Sequence, residues 1–221
     1  MSSHGCPKWR RACCVAVIVF IVLRKLNSWL KQNLETRRLG KKKQSASFAE
    51  SNRSAAHEAS VVLPFIRVVE VEDAAPFAGE LFLRKFNHSI PEYPRHFIAL
   101  YKSNPATSTT VAYVHYLPFE NTYLCGGMCV DNAVYRQMPR EHVRQIRQVG
   151  SLAEYILRNT FDMIGPCAAI FGSVGDAMAR NVDLRAGFVD TGKPHLMVVW
   201  RDVKESEKPA LLAKVVALGS F

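Results

Sequence analysis

The chain has 221 residues, with 29 Lys plus Arg against 19 Asp plus Glu and a formal net charge of +10. That length admits one domain of about 150 residues with a tail and excludes two full-sized domains. Spread evenly, the charge would point to nucleic acid or an anionic membrane. Residues 1–60, however, hold 12 Lys/Arg and 3 Asp/Glu, while the remainder holds 17 and 16. The basicity belongs to the tail, and no nucleic-acid partner is expected for the body.

In the tail, Trp9-Arg10-Arg11 leads into an apolar run from Ala12 to Leu23, followed by Arg24-Lys25. The run has 12 residues, against about 20 for a helix that crosses the bilayer core, unless the flanking basic residues snorkel. Trp9 and Trp29 stand where an interface would hold them. Three alternatives stay open for residues 9–30: a weakly membrane-associated helix, a dispensable extension or misplaced gene start, and an export signal, for which no small-residue cleavage site follows. Residues 40–60 are polar and rich in small residues, a flexible linker. The expected organisation is a basic N-terminal extension over 1–60 and a folded domain over 61–221.

The cysteines, Cys6, Cys13, Cys14, Cys125, Cys129 and Cys167, are irregularly spaced and read as reduced thiols of a cytoplasmic protein. Cys125, Cys129, Cys167 and His142 lack the spacing of a zinc site, and no metal is expected.

The body opens with VVLPFIRVVEV (61–71), a β-branched strand. Asp73 then starts a helix over AAPFAGELFLRKF (74–86). HFIALYK (96–102), TTVAYVHYLPF (109–119) and NTYLCGGMCVD (121–131), joined by tight turns, predict an antiparallel meander. SLAEYILRNTF (151–161) is helical, CAAIFGSV (167–174) a buried strand, 177–186 a helix ended by Gly187, and HLMVVWRDV (195–203) a last strand. The order predicts an α+β fold with a mixed, mostly antiparallel sheet flanked by helices. Gly126 and Gly127 weaken a strand, so they point to a bulge or a close approach by another group.

Two motifs fail on inspection. Gly187 to Lys193 satisfies G-x-x-x-x-G-K, but Pro194 stands where magnesium needs Ser or Thr, and a strand follows. Ser173 lies in Phe171-Gly172-Ser173-Val174-Gly175, one residue short of a hydrolase elbow.

Three stretches, within about Ile66 to Val203, together resemble the GNAT superfamily of acyl-CoA-dependent N-acyltransferases. They are Leu124-Cys125-Gly126-Gly127-Met128-Cys129-Val130, Arg147-Gln148-Val149-Gly150-Ser151-Leu152, and Val182-Asp183-Leu184-Arg185-Ala186-Gly187-Phe188. The resemblance implies the family fold and transfer of an acyl group, with acetyl-CoA or another acyl-CoA as co-substrate, to a small amine or a protein amine. It implies that Met128, Cys129 and Val130 offer main-chain groups to the pantetheine arm. It further implies that Gln148, Val149, Gly150, Ser151 and Leu152 cradle the pyrophosphate at a helix N-terminus, with positive charge from Arg144 and Arg147.

Departures accompany the match. Leu152 occupies the last Gly/Ala position of the family's R/Q-x-x-G-x-G/A pattern. Asp183 stands where the family often has a Tyr that protonates the leaving thiolate, so a donor role there needs a raised pKa. Asp176 stands where an Asn is often found. Asp131 is the expected general base, with His115 as second choice, and Tyr113, Tyr116 and Tyr123 are candidates to line the acceptor side. Two other readings stay open: a catalytically silent CoA-binding regulatory module, and a long-chain acyl or autoinducer-type synthase.

Overall fold

The computed structural model describes residues 62–92, 94–219 and 221. The basic extension with its apolar run, and Cys6, Cys13 and Cys14, lie outside them. Among the described residues no helix is long and apolar enough to cross a membrane.

Seven strands form one sheet: β1 (Ile66–Val71), β2 (Arg95–Asn104), β3 (Thr107–Phe119), β4 (Thr122–Val130), β5 (Ala169–Ser173), β6 (Val189–Asp190) and β7 (Leu196–Trp200). Their order is β1-β2-β3-β4-β5-β7-β6. Every pairing is antiparallel except β4 with β5. The fold is therefore the mixed, mostly antiparallel sheet flanked by helices that the sequence pattern predicts.

The helices are α1 (Ala75–Phe86), α2 (Asn132–Gln137), α3 (Arg140–Gln148), α4 (Leu152–Ile164), α5 (Ala177–Ala186) and α6 (Lys208–Leu218). Asp73 accepts the Ala75 N–H at 2.9 Å, Pro76 sits in the first turn, and Asn87 at φ 58° closes α1. This helix lays Phe82 over Ile98, Tyr113 and Cys129 on one face of the sheet. On the other face Leu152, Tyr155, Ile156 and Phe161 of α4 pack with Phe97, Val114, Tyr116 and Ile170. Burying such side chains contributes roughly 1.5–3 kcal/mol each, so the meander is fixed from both sides.

Four elements differ from the sequence reading. The first strand starts at Ile66, because Pro64 and Phe65 form a turn in which the Ile66 N–H donates to Leu63. Residues 132–148, to which the sequence pattern assigns no element, form α2 and α3; both are short, and the stretch buries Ile146 of α3 and Met138, which with Pro139 separates the two helices. The apolar C-terminal stretch forms α6, whose apolar residues follow no clear stripe. Short length hides α2 and α3 from pattern reading, and weak periodicity hides α6.

Candidate functional site

β3 and β4 slip register at their centre. Tyr113 faces Cys129 and His115 faces Gly126, so β4 carries one extra residue. Gly127 takes up the bulge at φ +56°, a conformation costly for any residue with a Cβ. A Cβ there would stand 2.5 Å from His115 Cε1 and 2.6 Å from Phe82 Cε2; one on Gly126 would stand 2.8 Å from His115 Nε2. The close neighbour common to both glycines is thus the His115 imidazole, joined at Gly127 by Phe82.

One residue before it, the sheet opens. Parallel pairing of β4 with β5 covers Thr122 to Cys125 against Ala169 to Gly172 and then stops. Gly126 to Val130 continue paired with β3 alone, leaving one side of the main chain available. Met128 and Val130 face the α4 side, whereas Cys129 is buried beneath α1, which pushes its thiol up to about 12.

His115 does not stand alone. Its Nδ1 lies 3.2 Å from the Tyr113 hydroxyl, which lies 2.8 Å from Nδ1 of His96 on β2. Tyr113 is fully buried and His96 is 2% exposed. Burial, followed by the neighbouring His96 and His88, pushes the His115 imidazole down to about 3, and burial likewise lowers His96. Both rings are neutral at pH 7. Motif spacing gives no hint of this chain, because His96 comes from another strand. Of the other strand tyrosines, Tyr116 is fully buried against Thr160, and the Tyr123 hydroxyl accepts from Arg95.

Asp131 sits at the N-terminus of α2. One carboxylate oxygen accepts the Ala133 and Val134 N–H groups at 2.8 and 3.2 Å, and the other accepts from Arg84 at 2.9 Å. Both oxygens are engaged, as a helix cap and as an ion pair.

At the start of α4, Gly150 has φ +100° and Ser151 caps the helix by accepting the Glu154 N–H at 3.1 Å. By helix geometry the Leu152 and Ala153 N–H groups lack an intrahelical acceptor. Leu152 is 3% exposed, so its side chain belongs to the core and only its backbone faces the loop. Arg144 is tied to Glu141 within α3, and Arg147 and Gln148 are exposed in its last turn, ahead of half-buried Val149.

The basic groups that converge on this loop are others. The buried Glu154 carboxylate stands against Gly150, where a Cβ would collide with Oε2. Arg158 donates to Oε1 at 2.9 Å and Arg185 to Oε2 at 3.0 Å. The chain thus places its own anion beside the loop where the resemblance expects a pyrophosphate. The Ser-x-x-Glu pattern and the i,i+4 spacing of Glu154 and Arg158 were the available signals.

On α5, Asp176 caps the first turn by accepting the Ala179 N–H at 2.8 Å. Gly187 at φ +111° ends the helix, and the Gly187 and Phe188 N–H groups both donate to the Asp183 carbonyl. Phe188 is thereby anchored against Phe161, at 5.5 Å between ring centres. The Asp183 side chain is half-buried near Cys125 and Tyr116, and burial lifts its carboxyl from 3.8 to about 6. Among the described residues no group of His, Cys, Asp and Glu is arranged to hold a metal.

No protein-family model and no curated protein matches the chain. Several solved structures are similar to it. The ribosomal-protein-S18-alanine N-acetyltransferase from Escherichia coli is 11% identical with a TM-score of 0.39, over 63% of this chain and 97% of that one. A GNAT-family protein from Bacteroides thetaiotaomicron is 14% identical with a TM-score of 0.38, over 70% and 99%. AtaTR bound with acetyl-CoA is 13% identical with a TM-score of 0.34, over 67% and 98%.

Proposed function

We propose that the chain is an acyl-CoA-dependent N-acyltransferase of the GNAT type, moving an acetyl or other short acyl group to an amine. The observation that carries this reading is that the parallel pairing of β4 with β5 ends at Cys125 and Gly172, so that Gly126 to Val130 pair with β3 alone. The unpaired edge of Met128 to Val130 suits the amides of a pantetheine arm, which would bond to it as an added strand does. Gly150, Ser151 and the free N–H groups of Leu152 and Ala153 suit its diphosphate, with Arg158 and Arg185 released to it as Glu154 turns away.

His115 then acts as the base. Its Nε2 has no protein partner among the described residues and lies beside Gly126, the first residue past the parting. The substrate ammonium loses one proton to His115 Nε2, and its lone pair attacks the thioester carbonyl carbon. As the adduct collapses the carbon–sulfur bond breaks and the nitrogen gives its second proton to solvent, from which Asp183 later regains the one it donates. Asp183, held near 6 by burial, protonates the departing thiolate. Asp131, with both oxygens engaged, serves as a cap that fixes the end of β4.

Calorimetry of the full chain with acetyl-CoA and longer acyl-CoAs, followed by thiol release with a panel of amines, tests the reading. Binding with amine-dependent release is expected. No binding of any acyl-CoA would overturn it, and binding without release would leave a non-catalytic CoA-binding module.

A further inference from the structure

His115, Tyr113 and His96 form a polar chain through an otherwise apolar layer. Phe82 covers it, 5.4 Å from the Tyr113 ring and 5.9 Å from the His115 ring between centres. Apolar residues would fill this space without desolvating three polar side chains. The sequence also accepts a left-handed Gly127 and a side-chain-free Gly126 so that His115 can lie on the bulge. One end of the chain reaches the parting at His115 Nε2. The other is His96, whose imidazole pKa is lowered by burial, with the field of Asp73 at the head of α1 acting against that shift.

We infer that His115, Tyr113 and His96 are a proton relay that carries the amine's proton away from the parting of β4 and β5. The inference rests on the acyltransferase reading and extends it to two residues that do not touch substrate. In the resting chain His115 carries its proton on Nδ1 and donates it to the Tyr113 oxygen, and Tyr113 donates to His96 Nδ1. When Nε2 takes the proton from the substrate ammonium, the Nδ1 proton passes to the Tyr113 oxygen and the tyrosine proton passes to His96. The amine is left neutral with its lone pair free, and the single positive charge rests on His96. Charge therefore does not stay on His115, whose imidazolium form burial opposes. Tyr113 is restored as a neutral phenol, which suits a hydroxyl whose ionisation burial strongly opposes. The other titratable groups around the relay are His88 beyond Phe82, Lys85 and Arg84 of α1, and Cys129 and Asp131 of β4 and its end.

Two variants of the full chain test this. Tyr113→Phe keeps the ring and removes the bridge; His96→Asn keeps an acceptor for the tyrosine but takes up no proton. Each is expected to lower kcat for amine-dependent thiol release about 100-fold, leave the KM for acetyl-CoA unchanged, and move the rise of kcat with pH toward the amine's own pKa. Folded variants that bind acetyl-CoA and keep the wild-type kcat and pH profile would overturn the relay while leaving the acyltransferase reading intact. Failure of the wild-type chain to bind any acyl-CoA would overturn that reading and the relay with it. Independently of any variant, nitrogen-15 spectra of the wild-type imidazoles should show His115 protonated on Nδ1. A proton on Nε2 at rest would leave no lone pair for the amine's proton and would overturn the inference.

Discussion

Replacing Asp183 with Asn separates what this carboxyl does for chemistry from what it does to stability. In the unfolded chain the group titrates at 3.8 and in the native one at about 6. Between those values the native state binds more protons than the unfolded state, so stability is highest below about 4, falls as pH rises through the window, and is flat above it. Two units correspond to about 3 kcal/mol, and partial exposure of the side chain reduces this to about 2. An Asn carries no charge to desolvate. Asp183→Asn should therefore be about 2 kcal/mol more stable than the parent at pH 7.5, with the gain falling to about a third of that at pH 4.5. Urea unfolding of both chains at the two pH values measures it. An equal difference in midpoint at both pH values, or a less stable variant at pH 7.5, would refute the assignment of the shift to burial. Thiol release by the parent should decline as pH rises through about 6, and the variant should lose that limb together with most of its turnover.

Three further outcomes follow from the same contacts. Gly127→Ala meets both His115 and Phe82 in a left-handed conformation and should cost about 2–4 kcal/mol, read by thermal unfolding. Gly126→Ala, which presses only on the His115 imidazole, should cost visibly less. Glu154→Gln removes the carboxylate from two arginines and should destabilise the chain by about 1–3 kcal/mol. If Glu154 competes for the diphosphate, the same change tightens acetyl-CoA binding in calorimetry, and weaker binding would show that Glu154 supports the site instead. Asp131→Ala should lose about 1–2 kcal/mol with its cap, whereas Asp131→Asn keeps the cap and, with His115 as base, keeps turnover.

The sequence determined the order of the sheet-forming elements because their signals are local. Tight turns at Ser103-Asn104-Pro105 and Glu120-Asn121 join β-branched runs, Asp73 and Ser151 start helices, and Gly187 ends one. It also marked Gly126 and Gly127 as positions where something comes close. What it left open was the identity of that neighbour, since the His115 ring arrives from the adjacent strand and His96 from the next. Only the packed sheet brings His96, Tyr113 and His115 into one chain. The same holds at α4. The Gly150-Ser151 turn is legible, but the convergence of Arg185 from α5 on Glu154 depends on how two helices lie together. Desolvation decides the remainder: the sequence says only that a donor role for Asp183 needs a raised pKa, and the rise itself exists because the fold buries the carboxyl near Tyr116 and Cys125. Local hydrogen bonding and hydrophobic period are written in neighbouring residues, while proximity across strands and loss of water are properties of the assembled core.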